Sequence, residues 1–131
     1  MPASGEVLLD TSVVVRYFRK DAAVREKLLA SATLYLPQTA LGELYCGAYL
    51  CADPKRTLAE INNFLVAVVL LFPGLATAQQ YGKIRAALAQ AGTPIPENDI
   101  WIAAIAHEHQ LPLAARDAHF DQVAGLQVLK W

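Results

Sequence analysis

The sequence predicts an α/β domain of three layers, α/β/α, with a central parallel sheet of four to five strands between two layers of helices. Three observations predict it. Short apolar runs alternate with longer segments of helical spacing along the whole chain, the pattern of strands linked by crossover helices. The runs are nearly continuous in apolar residues instead of alternating with polar ones, as strands covered on both faces are. Finally, 131 residues with 55% hydrophobic and 18% charged content suit one domain around one core.

Taken in order, Glu6 to Leu9 is an apolar run ending at Asp10 and reads as the first buried strand. Thr11 or Ser12 is placed to cap a helix running to about Arg19, and Asp21 opens a second helix to about Ala30. Thr33 to Leu36 is the second strand, stopped by Pro37. A long helix follows from Gln38 to about Leu50. Asp53-Pro54 starts the next, because Asp caps well and Pro fits the first turn, and this helix ends near Phe64. Val68 to Phe72 is the third strand, closed by Pro73-Gly74. Helical spacing from Thr77 to Gln90 stops before Gly92, a C-cap residue. Asn98 to about His109 is the last helix. Leu113 to Ala115 and Leu126 to Leu129 are the fourth and fifth strands. No repeat, low-complexity tract or linker divides the chain, so a single domain over 1–131 is expected.

Charge and cysteines narrow the function. The net charge is −1 and the pI about 6.3, so bulk charge does not make this a polyanion binder. A nucleic-acid partner would have to be met through a local basic patch or through metal ions. Cys46 and Cys51 give no disulfide framework and read as small buried or half-buried thiols in a reducing compartment. The N-terminus has no basic region followed by an apolar stretch. The most apolar run, Phe64 to Phe72, falls far short of the roughly 20 residues a membrane helix needs. A soluble, cytoplasmic protein with no membrane association is expected.

Ligands of parallel α/β sheets bind outside the carboxyl ends of the strands. Asp10 ends the first strand, Asp117 follows the fourth, and Asp99 lies in the first turn of the helix before the fourth. Glu43 lies a turn and a half into the helix after the second. Four carboxylates at one edge repel one another. A divalent cation such as Mg²⁺ or Mn²⁺ relieves that repulsion through hard oxygen ligands, and can activate water and polarise a phosphoryl oxygen. The pattern therefore suits phosphodiester hydrolysis. Each acid has an ordinary alternative, as a helix cap, a solvated helix face or a turn residue. Glu43 is costly among Leu41, Leu44 and Tyr45 unless it is used.

Around these acids, Arg16, Arg19 and Lys20 on the first helix and Arg25 and Lys27 on the second are candidates to steer a nucleic-acid backbone or simply form a solvated face, and Arg116 beside Asp117 to touch a phosphate or pair with a carboxylate. Lys83 and Arg85 are similar candidates on the helix before Gly92. His107 and His109, two apart on a helix, diverge and make poor joint metal ligands. His119 lies near the proposed site. Tyr45, Tyr49, Tyr81 and Trp101 suit core or dimer packing better than base stacking.

Four stretches together resemble the PIN-domain family and, within it, the VapC-type toxins of toxin–antitoxin pairs. They are Leu8-Leu9-Asp10-Thr11-Ser12; Leu41-Gly42-Glu43-Leu44-Tyr45-Cys46-Gly47-Ala48; Gly92 through Asn98-Asp99-Ile100-Trp101-Ile102-Ala103-Ala104; and Leu111 through Arg116-Asp117-Ala118-His119-Phe120. Their order and spacing cover nearly the whole chain. The resemblance implies a PIN-like fold and makes Asp10, Glu43, Asp99 and Asp117 the metal-binding and catalytic set, with Asp121 able to stand in for Asp117. It gives Thr11 or Ser12 a supporting hydrogen bond to Asp10, and makes Asn98 a cap of the helix that presents Asp99 or a residue that itself approaches the site. It further implies metal-dependent cleavage of RNA, a cognate VapB-like antitoxin and a homodimer. The chain departs from the pattern at Ala115, where the family often carries a threonine hydroxyl.

Two other phosphoryl chemistries fit less well. A haloacid-dehalogenase-like phosphatase needs a second Asp where this chain has Ser12. A receiver domain needs an acceptor Asp at the end of the third strand, where this chain has Phe72-Pro73. The alternative outside enzymology is a catalytically inactive PIN-like module that binds protein or RNA.

Overall fold

A computed structural model describes residues 5–131. Strand β1 (Glu6–Leu9) has Leu8 and Leu9 fully buried, as the unbroken apolar run requires. Gly5 immediately before it has φ +87°, and a Cβ there would stand 2.9 Å from the backbone nitrogen of Ala32, so only glycine fits where the two chain segments pass. Asp10 ends the strand in extended conformation and is itself the N-cap of α1 (Thr11–Phe18), its carboxylate accepting from the Ser12 N–H. The cap expected of Thr11 or Ser12 thus moves one or two residues earlier, because Asp10 retains the extended dihedrals that an N-cap needs. Asp21 caps α2 (Ala22–Ala30) through the Val24 N–H, as expected.

Strand β2 (Thr33–Pro37) leads directly into α3 (Gln38–Leu50), and Asp53-Pro54 opens α4 (Pro54–Leu65), both close to their predicted bounds. Strand β3 (Val69–Leu71) is shorter than predicted. Helix α5 (Leu75–Ala91) begins before Thr77 because the Gly74 N–H donates to the Thr77 hydroxyl, which closes the first turn from inside the helix. Gly92 terminates it in the left-handed conformation, φ +70°. Helix α6 (Glu97–His109) follows Pro96 with no side-chain cap, so the cap expected of Asn98 is not formed. Asn98 is instead an exposed residue of the first turn. Strand β4 (Leu113–Ala114), a 3₁₀ turn (Ala118–Gln122) and β5 (Val128–Leu129) complete the described chain.

The strands form one sheet in the order β3-β2-β1-β4-β5, every pair parallel. The central-sheet α/β fold with four to five strands is therefore the one observed. Chain order reverses between β1 and β4, which sit side by side with Leu9 paired to Ala114. The crevice above their carboxyl ends is the topological switch point where such sheets bind ligands. Helix α6 is buried along Ile100, Ile102, Ala103, Ala104, Ile105 and Ala106, and packs on α5 and α3. A helix apolar on so many sides belongs in the core, and its N-terminal turn is thereby aimed rigidly at the crevice. Cys46 and Cys51 are both exposed free thiols, contrary to the expected burial: Cys51 lies at the C-cap of α3, where its Sγ meets the Ala48 carbonyl at 3.1 Å. Among the described residues, no helix is long and apolar enough to cross a membrane.

Candidate active site

The switch-point crevice gathers carboxylates from three elements. Asp10 stands at the end of β1, its backbone N–H bonded to the Ala114 carbonyl of β4 at 2.9 Å. It is only 5% exposed. Its Oδ2 accepts from the Ser12 hydroxyl at 2.6 Å and the Ser12 N–H at 3.3 Å. Burial holds its carboxyl above the usual carboxylate range. The Ser12 and Thr11 donors pull the other way, and the nearby Asp117 charge adds to the rise. Asp99, in the first turn of α6, is half-buried. Burial raises its carboxyl too, and repulsion from Asp10 and Asp117 adds to this against a lowering bond from His119. The three acids therefore sense one another across the crevice.

Asp117 follows β4 and caps the 3₁₀ turn, its Oδ1 accepting from the His119 N–H at 2.9 Å. The turn folds His119 back over the site. Its Nδ1 lies 3.0 Å from Asp99 Oδ2 and 2.9 Å from Asp117 Oδ1. Among the described residues, Asp99, Asp117 and His119 offer ligand atoms that all lie within 4.8 Å of one another. Phe120, fully buried beside His119, anchors this turn in the core. Glu43, half-buried on α3, accepts from the Thr11 hydroxyl at 2.9 Å. The two hydroxyls thus divide the work: Ser12 orients Asp10, and Thr11 ties Glu43 to the start of α1. The hydroxyl absent at Ala115 leaves a fully buried methyl.

Several sequence candidates fall elsewhere. Asp121 pairs with Lys130 at 3.0 Å on the exposed face of the 3₁₀ turn, so it does not replace Asp117: two residues either side of His119, the two acids face different ways. Arg85 is engaged by Glu97 at 2.7 Å and by Tyr81 at 3.1 Å, and Tyr81 stacks on Trp101 with ring centroids 4.1 Å apart. Arg16 pairs with Asp21 at 3.2 Å. The Val24 N–H first, and the Arg16 guanidinium with it, hold the Asp21 carboxyl below its ordinary range. Arg16, Arg19 and Arg116 nevertheless line one cleft of about 630 Å³ with Ser12 and Asp117, so a cationic wall adjoins the carboxylates. His119, placed near the site by the sequence, is brought directly onto Asp99 and Asp117. The signal for this closeness is the Asp-x-His spacing after a strand, which a 3₁₀ turn folds together.

The donor set is hard oxygen with one imidazole, gathered where burial makes unneutralised carboxylates costly, and it fits a divalent cation. Fold and site together define a parallel α/β protein with an acidic, cation-suited centre at its switch point. The chain belongs to the PIN domain family, whose family model matches residues 7–126. It is 32% identical over 127 residues to the tRNA(fMet)-specific endonuclease VapC of Shigella flexneri, covering 95% of this chain and 96% of that one. It is 31% identical, with the same coverage, to ribonuclease VapC2 of Haemophilus influenzae. Among solved structures it resembles DNA-bound VapBC from Salmonella typhimurium, with a TM-score of 0.90 and 28% identity over 96% of this chain and 98% of that one.

Proposed function

We propose that this chain is an endoribonuclease that hydrolyses RNA phosphodiester bonds with a divalent cation, and that it is the toxin of a toxin–antitoxin pair. The observation that carries the catalytic reading is the meeting of Asp10, Asp99 and Asp117 at the β1/β4 switch point, with the Asp10 and Asp99 carboxyls raised by burial and mutual repulsion. Such a cluster is poised to accept positive charge. The toxin reading is supported by the relatives named VapC and by the VapBC structures this chain resembles.

The residues assigned to the cation are Asp10, Glu43, Asp99 and Asp117. When bound, Mg²⁺ or Mn²⁺ supplies activation of water and neutralises charge developing on the phosphoryl oxygens. The protein's part is positioning. Ser12 fixes the Asp10 carboxylate and Thr11 fixes Glu43, which removes the rotamer freedom that would blur the site. Arg19 and Arg116 receive the RNA backbone along the cleft, and Arg16, steadied by Asp21, extends that wall. No serine or cysteine nucleophile is required.

The assigned partners are the RNA substrate, a VapB-like antitoxin and a second copy of this chain, acting in the cytoplasm. Exposed Tyr49, Leu50, Phe72 and Leu75 supply apolar surface for association. The antitoxin is expected to place a cation, an arginine above all, against the acidic cluster. A complex with that cluster open to solvent would refute this.

The deciding experiment is cleavage of end-labelled total RNA by the purified protein with Mg²⁺, with Mn²⁺ and with EDTA, beside Asp99→Asn. Cutting that requires metal and is lost in the variant is the expected result. A folded, antitoxin-free protein that cuts nothing under any of these conditions would point instead to an inactive PIN-like binding module.

A further inference from the structure

We infer that His119 is itself a ligand of the cation, and that its nitrogen turns the site away from Mg²⁺ and toward a first-row transition ion. The inference rests on the reading of the acidic cluster as a divalent-cation site and adds a fifth residue and a metal preference to it.

The geometry comes first. Neighbouring ligands of an octahedral ion with bonds of about 2.1 Å stand about 3 Å apart. His119 Nδ1 lies 3.0 Å from one oxygen of Asp99 and 2.9 Å from one oxygen of Asp117, and one ligand atom from each of the three lies within 4.8 Å of the others. The imidazole is thus spaced from both carboxylates as a co-ligand would be. Its position is also built. The His119 N–H is held by Asp117 Oδ1, and the next residue, Phe120, is locked in the core with 0% exposure. The ring is delivered from a short, anchored turn, and Nδ1 reaches a cation shared by Asp99 and Asp117 by exchanging its hydrogen bond to Asp99 for the ion.

The chemistry then sets the preference. Mg²⁺ takes oxygen ligands and gives up water reluctantly, so an imidazole in its shell is a poor exchange for a water. Transition ions accept imidazole readily, and a mixed carboxylate and imidazole shell is one they favour. A purely acidic centre would leave Mg²⁺ and Mn²⁺ less sharply separated. The competing account makes His119 a counter-charge that occupies the cluster in place of a cation. The two accounts predict opposite signs for the effect of removing it, which makes the question decidable.

The test is titration of the full chain, freed of antitoxin, with Mn²⁺ alone and Mg²⁺ alone by calorimetry, together with pulsed electron paramagnetic resonance of the Mn²⁺ form. Wild type, His119→Ala, His119→Asp and Asp99→Asn are compared. The expected result is a ¹⁴N coupling to Mn²⁺ in the wild type that both His119 variants lose. Mn²⁺ affinity should fall about tenfold or more in His119→Ala, in the range seen when groups around a metal are removed, while Mg²⁺ affinity changes far less. His119→Asp, which restores an oxygen donor, should bring Mg²⁺ binding level with or above that of Mn²⁺. Unchanged or tighter Mn²⁺ binding in His119→Ala, or a wild type without nitrogen coupling, overturns the inference and leaves the acidic site standing. Mn²⁺ binding that is absent, or indifferent to Asp99→Asn, overturns the site reading itself.

Discussion

Replacing Asp10 with asparagine should raise the stability of the metal-free protein while abolishing its stabilisation by metal. Asp10 is 5% exposed, and burial raises its carboxyl above the ordinary range, with the Asp117 charge adding to the effect. At neutral pH the buried carboxylate therefore costs stability. Asparagine keeps the shape, still accepts from Ser12 and still caps α1, but carries no charge. Removing the charge therefore returns the stability that the raised carboxyl costs. A chain of 131 residues unfolds with an entropy of about 0.28 kcal/mol/K, so 1 kcal/mol moves the Tm by about 4 °C. A cation at one hundred times its Kd stabilises by about 2.7 kcal/mol, or about 10 °C. The assay is thermal melting in EDTA and in Mn²⁺, wild type beside Asp10→Asn. The wild type should shift up by about 10 °C with metal at one hundred times its Kd, and the variant should melt higher than the wild type in EDTA and not respond to metal. The pH sign follows from the raised carboxyls of Asp10 and Asp99. Their contribution to metal-free stability is full below the unfolded value near 3.8 and is lost as pH rises through the raised folded values. Asp10→Asn removes its share of that loss. A variant that melts lower in EDTA with unchanged secondary structure, or that keeps the metal shift, would refute the reasoning and make Asp10 a purely structural cap.

Ser12→Ala removes the 2.6 Å bond to Asp10 and should lower stability by about 1–2 kcal/mol near neutral pH. Because that bond favours the ionised carboxylate, the deficit should shrink as melting is repeated at pH values where Asp10 is protonated. Phe120→Ala empties a fully buried site and should cost about 3–5 kcal/mol in denaturant unfolding, with Phe120→Leu much milder. Both should weaken Mn²⁺ binding, since Phe120 anchors the turn that carries Asp117 and His119. Arg19→Ala and Arg116→Ala, made in an Asp99→Asn background, should weaken single-stranded RNA binding regardless of sequence. Each should reduce the slope of log affinity against log salt by about 0.7; an unchanged slope would remove that residue from the RNA path.

The sequence by itself determined the layers and most of the elements: apolar runs mark β1 and β2, Asp21 and Asp53-Pro54 mark helix starts, and Gly92 marks a helix end. The four acids were singled out by their places near strand ends and by the resemblance of the motifs that carry them. These signals act within a few residues, where backbone geometry and capping are set by neighbours in the chain. The tertiary structure alone decided the strand order, which places β1 beside β4 and so brings Asp10 to Asp99 and Asp117 from nearly ninety and more than one hundred residues away. It decided which hydroxyl serves which carboxylate, that Glu97 engages Arg85 and Lys130 engages Asp121, and that a 3₁₀ turn folds His119 onto the acids. Those outcomes depend on where distant segments pack, and a side chain's partner across the sheet is fixed by the whole core, not by the residues beside it.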